Sequence, residues 1–244
     1  MPDHHEHATA MVGVQSAPRP FGWGRVALCV AAVLVAAVLV SAAVATAGGG
    51  PVMVPNLIVF GLPVLGYAIV RARRGDDRSA IIAKLSLGGA RPAAFALAIA
   101  LSLAAATAYH LVIKPVLLPL LLPADAIGNL GGAYAGLSPG PTTAALVFAS
   151  EALNVALGEE LLFRGLVAGW ALRRFGPNRG NAVQSVIFLL PHLTVLSAGA
   201  GSWLLLPVVL VIGWTLGVLL RRSGSIWPGW LLHALANALT KMPL

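Results

Sequence analysis

A succession of long apolar runs, set apart by short clusters of arginine, leaves this chain few ways to fold. The runs cover residues 26–47, 51–70, 92–112, 144–174, 181–196, 203–220 and 226–240. Most are near the roughly 20 residues that cross a hydrocarbon core as a helix. Only 10% of the residues are charged and 58% are hydrophobic, against about 25% charged in a soluble domain. Such a chain cannot coat a water-facing globule, so an integral membrane protein is expected. A net charge of +8 could point to nucleic acid, but the basic residues sit in short clusters between the apolar runs. That is the pattern of cytoplasmic loops and not of a phosphate-binding face. The expected fold is all-α: a polytopic transmembrane helix bundle of about seven spans, with a buried polar site in its C-terminal half.

The chain divides into a polar tail (1–24), a first group of helices and loops (25–141) and a second group (142–244). The tail carries His4, His5, Glu6 and His7 ahead of Pro18 and Pro20; a disordered cytoplasmic segment is expected rather than a metal site, since nothing frames the imidazoles. Ala45-Thr-Ala47 is like a signal-peptidase site, but the run before it is long, and an uncleaved first helix is the better reading. Cys29, the single cysteine, lies inside that run, which excludes an intrachain disulfide and predicts a buried, inert thiol. Pro55 and Pro63 interrupt the second run without ending it, because neighbouring helices can re-satisfy the backbone. Residues 79–90 are too short to cross and are expected along the interface. Residues 113–141 contain five prolines; one helix is not expected there, and the Leu-rich part should dip into the interface as a lid. The arginine clusters follow spans two, four and six, whereas the turns after spans one, three and five hold only Lys114. The positive-inside rule then places the N-terminus inside and the C-terminus outside, in what the Ala/Gly/Arg-rich composition hints is a bacterial cytoplasmic membrane.

Polar groups interrupt the later runs in a pattern. They are Glu159-Glu160-x-x-x-Arg164, Phe188-x-x-x-His192, His233-x-x-x-Asn237, and Glu151 with Asn154. An ionisable group at mid-bilayer costs roughly 2.5–3.5 kcal/mol on insertion scales, so each needs a partner. Glu160 and Arg164 stack on one helix face, acid first; Glu159 points elsewhere. Taking Arg173, Arg179 and Arg222 as boundary marks, Glu160, His192 and His233 lie 13, 13 and 11 residues inward, or roughly 16–20 Å at the α-helical rise. Three helices thus bring acid, imidazole and amide groups to one level. A desolvated carboxylate is a stronger base than a solvated one, which suits Glu159, helped by His192, to take a proton from water. Asn237 and His233 offer N–H groups to a developing oxyanion, and Arg164 would hold Glu160 ionised. Polar glue between helices is the bland alternative for each motif. It is preferred for Glu151 and Asn154, which lie further out, and Phe188 is expected to pack rather than react. Gly213-Trp214-x-x-Gly217 and Gly224-Ser-Ile-Trp-Pro228 are expected to serve close helix packing and interfacial anchoring.

The three ordered motifs resemble those of the CPBP intramembrane proteases, the group that includes the CAAX prenyl-proteases and the Abi-type bacteriocin-immunity proteins. Gly224-Ser-Ile-Trp-Pro228 is similar to that family's lead-in to its last motif, and the resemblance covers roughly residues 140–240. It implies an α-helical enzyme that cleaves peptide bonds of a membrane-anchored or lipidated substrate, within or at the surface of the lipid bilayer, with 142–244 as the catalytic core. Glu159 and His192 would activate water, and His233 and Asn237 would steady the oxyanion; Glu160 and Arg164 complete the site. Family names disagree between glutamate and metalloprotease. Glu159, His192 and His233 could make a zinc site, although a Glu-activated water without metal also accounts for Arg164 and Asn237 and is preferred. A non-catalytic immunity or scaffolding protein is the competing expectation. A transporter using the charges as a proton relay is weaker, because no inverted repeat is visible.

Overall fold

A computed structural model of the protein describes residues 23–49, 55–122, 132–198 and 202–243. The helices are α1 (Trp23–Thr46), α2 (Pro55–Arg73), α3 (Arg78–Lys84), α4 (Pro92–Leu121), α5 (141–175), α6 (Pro177–Leu189), α7 (Leu206–Ser223) and α8 (Trp227–Lys241). Among the described residues there is no strand, as the unbroken apolar runs require. Every helix except α3 follows one of the seven runs. By length and composition, three stretches can cross a membrane: Asn56–Arg73, Pro92–Leu121 and Ser202–Ser223. α6, with 13 residues, and α8, with 15, are shorter than a hydrocarbon core is thick. α5 carries four buried ionisable groups, Glu151, Glu159, Glu160 and Arg164, ahead of the exposed Arg173 and Arg174 at its end. These three helices therefore take their place from packing more than from hydropathy. The N-terminal tail with its histidines, and the Cys29 side chain, lie outside the described residues.

α3 is a short helix at the start of the stretch, 79–90, that is too short to cross a membrane. Asp77 caps it by accepting from the Ala80 N–H at 2.7 Å, which satisfies one of the donors a helix start leaves free. Residues 113–121 correct the sequence reading. Instead of stopping at 112, α4 runs on to Leu121 through a π-helical stretch, Tyr109–Leu117, that contains Pro115. Inside a membrane protein a proline is absorbed when local widening of the helix re-satisfies the freed carbonyls. The Leu-rich segment is thus the end of a helix, with Leu118 buried and Leu120 exposed. Residues 123–131 lie outside the described part of the chain.

Small residues bring the helices that carry the site together, as expected where lipid supplies no hydrophobic drive between helices. α4 meets α8 through Ala98, Ser102 and Ala106, all buried. Ser102 donates to the Leu232 carbonyl at 3.2 Å, and His110 Nε2 to that of Leu239 at 2.8 Å. α7 lies against α6 across Gly213 and Gly217, where Gln184 donates to the Gly213 carbonyl at 2.9 Å and Asn181 to that of Trp214 at 3.2 Å. At the arginine-bearing end, Gly224 ends α7 in the left-handed conformation (φ 69°). Ser225 and Trp227 then donate to the Gly88 and Leu87 carbonyls at 2.6 and 3.0 Å. The Gly-Ser-Ile-Trp-Pro segment therefore sets where α8 starts by docking on the α3–α4 connection. Its tryptophan anchors to protein.

Candidate active site

α5 supplies both acids, and it is not a plain α-helix. Two π-helical stretches, Glu151–Ala156 and Glu160–Val167, flank the short α-helical piece Leu157–Glu159. Hydrogen bonds from the Leu157 N–H to Ala152 and from the Ala168 N–H to Phe163 mark the wider turns. Such turns recur at functional sites because they re-aim the side chains they carry. Glu160 and Arg164 still meet: Arg164 Nη1 lies 3.1 Å from Glu160 Oε1, with neither side chain exposed. That contact is an ion pair by distance but lacks hydrogen-bond alignment, and it leaves Nη1 and Nε without a hydrogen-bonded partner. Nη2 reaches the Gly213 carbonyl at 3.4 Å. The guanidinium stacks 4.0 Å over the Phe188 ring, a cation–π contact strengthened by desolvation. Phe188 is thus packing, as expected: its ring also lies 4.6 Å from that of His192 and edge-on to Phe163.

Glu159, His192 and His233 do converge. Glu159 Oε2 lies 4.0 Å from His192 Nε2 and 3.8 Å from His233 Nε2. The partners on the other side of each ring fix what those nitrogens offer. His192 Nδ1 is 2.9 Å from the Phe188 carbonyl oxygen, which can only accept, so Nδ1 carries the hydrogen and Nε2 of the neutral ring is a lone pair. His233 Nδ1 is 3.0 Å from Glu160 Oε1, and Arg164 holds that carboxylate as an acceptor, so the same tautomer follows. Three acceptors therefore face one point, and Glu159 Oε2 has no hydrogen-bonded protein partner. A donor is called for there. The His192 side chain is 30% exposed, against 7% for Glu159 and for His233, so access to this point runs past His192.

The remaining polar groups make contacts that helical spacing alone does not give. His233, expected to face an oxyanion, bridges the two glutamates. Asn237, one helical turn further, is not drawn into the trio: its Nδ2 donates to Glu151 Oε2 at 3.0 Å. Glu151 and Asn154 serve interhelical hydrogen bonding as expected, the latter donating to Ser41 Oγ on α1 at 3.3 Å. Asn56 was missed. Its Nδ2 sits 3.5 Å from Glu159 Oε1, at the long limit of a hydrogen bond. Its backbone lies so close to α5 that a Cβ on Gly158 would fall 2.6 Å from the Asn56 carbonyl oxygen. The available signal was an amide inside an apolar run, the same one that marked Asn154. Tetrahedral zinc would hold donors about 3.4 Å apart; the separations here are wider, and no trio of His, Cys, Asp or Glu among the described residues has metal-binding geometry.

Residues 141–239 match the family model described as "Type II CAAX prenyl endopeptidase Rce1-like". This stretch of the chain is similar to the CAAX prenyl endopeptidases. The matched stretch takes in all three motifs and runs from the start of α5 almost to the end of α8, so the convergent trio lies wholly inside it. The family is one of proteases, which makes the protein an enzyme of that class embedded among membrane helices. α1 to α4, including Asn56, lie outside the matched residues. No curated protein and no solved structure matches the chain.

Proposed function

We propose that this CAAX-type endopeptidase hydrolyses a peptide bond of a membrane-anchored or lipidated substrate with water activated by Glu159 and His192. The observation that carries the proposal is the three-acceptor point between Glu159 Oε2 and the two imidazole Nε2 atoms. A water there donates to two acceptors and keeps a lone pair for the scissile carbonyl. As that lone pair attacks, one water proton passes to Glu159 or His192. The new C–O bond makes a tetrahedral oxyanion, and the proton then goes to the departing nitrogen as the C–N bond breaks, giving a carboxylic acid and an amine. His233 can donate through Nε2 only as the doubly protonated ring, and Glu159 and Glu160 flank that ring on both sides. Asn237 supplies the second donor of the oxyanion site.

Purified protein in detergent is expected to cleave a membrane-anchored peptide, with Glu159→Gln and His192→Ala each lowering turnover at least about 10²-fold. Wild-type turnover in both variants would remove the mechanism. Unchanged cellular function of the same variants would favour the non-catalytic immunity or scaffolding role. Because the donor spacing does not suit zinc, a chelator series is expected to leave the rate unaltered; loss restored by added zinc would replace the acid–base scheme.

A further inference from the structure

A third buried carboxylate stands beside the site and outside the three motifs. Glu151, on the first π-helical stretch of α5, is 2% exposed, yet three polar groups converge on it. Lys241 Nζ lies 3.0 Å from both carboxylate oxygens. The Tyr134 hydroxyl donates to Oε1 at 2.9 Å and is 2.8 Å from the Ser150 hydroxyl. Asn237 Nδ2 donates to Oε2 at 3.0 Å. Lys241 and Tyr134 fall outside the residues matched to the family, so this chain builds the clasp from its own flanking segments.

An amide side chain can turn either its nitrogen or its oxygen toward a neighbour. A carboxylate paired with lysine can only accept. Reversing the Asn237 amide would set Oδ1 against Glu151, acceptor against acceptor, in a place with little water. The carboxylate therefore selects the orientation in which the nitrogen faces inward from α8. That nitrogen has a second N–H, and among the described residues no protein group takes it up. Asn237 is also one turn from His233, whose ring is already in the trio.

We propose that Glu151 is a positioning residue for Asn237: clasped by Lys241 and Tyr134, it fixes the amide so that its second N–H is available to the oxyanion. The proposal rests on the endopeptidase mechanism above, and it separates Glu151 from simple interhelical glue, which would hold α5 to α8 without regard to the reaction.

The test is a double-mutant cycle on the full chain in detergent, reading kcat and KM on a membrane-anchored peptide. The variants are Glu151→Gln, Asn237→Ala and their combination, with Glu159→Gln as a chemistry control. Since one oxyanion donor is worth about 10²–10³ in kcat, Glu151→Gln, whose neutral amide no longer dictates the flip, should lower kcat at least about tenfold and leave KM within about twofold. The combined variant should be no slower than Asn237→Ala alone. Multiplying losses, an unchanged kcat, or a rise in KM alone would each overturn the positioning role. Should Glu151→Gln not fold, Tyr134→Phe takes its place: it should reduce kcat in the wild-type background and have no effect beside Asn237→Ala. Full activity in Glu159→Gln would bring down the mechanism itself, whatever the cycle shows.

Discussion

Arg164 shows what one residue does in this core. Its guanidinium is fully buried, pairs with Glu160, reaches the Gly213 carbonyl and stacks on Phe188. It thereby joins α5, α6 and α7 beneath the trio. Arg164→Met would leave Glu160 without its charged partner, held only by the His233 ring N–H, and breaking a buried pair from one side costs roughly 3–5 kcal/mol. Thermal unfolding in detergent should show a loss of that order, with activity lost in step. Arg164→Lys should restore only part of it, because a point charge cannot stack and fork together. Asp76, in the connection between α2 and α3, gives a solvent-side contrast. Its hydrogen bond to Arg71 comes first and that to Lys84 second in lowering its carboxyl to about 2. An unperturbed aspartate titrates at about 3.9. Because the folded value is the lower one, the contribution of this clasp is complete above about pH 4 and is lost as pH falls through about 2. Hydrogen exchange of residues 71–85 should stay slow down to about pH 4 and speed up below it; an onset near pH 6 would contradict the assignment.

At the scale of the elements, glycine sets how closely α6 and α7 approach. A Cβ on Gly217 would fall 1.8 Å from Asn181 Oδ1 and 2.4 Å from Gln184 Nε2. The amides occupy the space a side chain would need, and they use the proximity to reach backbone carbonyls on α7. Gly217→Ala should therefore cost roughly 1–3 kcal/mol by overpacking, read as a fall in melting temperature in micelles. Adding Asn181→Ala should recover part of the loss; no recovery would mean the strain lies in the backbone crossing instead. The π-helical stretches of α5 act at the same scale. Straight α-helical geometry at about 100° per residue correctly pairs Glu160 with Arg164, but it does not describe the turn on which Glu151 meets Asn237.

Across the whole molecule, the arginine-bearing connections gather at one end. Arg221 donates to Asn178 at 3.1 Å, Ile226 N–H to Ser86 at 2.9 Å, and a Cβ on Gly169 would lie 3.3 Å from the Lys84 carbonyl. α3 with the connection that follows it, and the connections after α5 and α7, are therefore neighbours, as the positive-inside rule asks of loops on one side of a membrane. In a background lacking Cys29, cysteines at positions 76, 176 and 224 should be labelled by a membrane-impermeant reagent only after the cytoplasmic face is opened. Cysteines at 48 and 139 should react from outside. A mixed pattern would reverse or break the proposed topology.

The amino-acid sequence by itself determined the helical class and the helix order. It also picked out Glu159, His192 and His233 as groups that must share a site. Helical period and distance from the arginine boundary are local quantities, and a costly ionisable group in an apolar run announces itself without reference to any neighbour. Tertiary structure alone decided who meets whom: Asn56 beside Glu159, His233 between two glutamates, and Asn237 turned to a carboxylate clasped by Lys241 and Tyr134. Those contacts depend on how far each helix is rotated and on where π-turns and Pro115 shift the register. Small residues and buried amides set that rotation across helix interfaces, and their effect cannot be read one segment at a time.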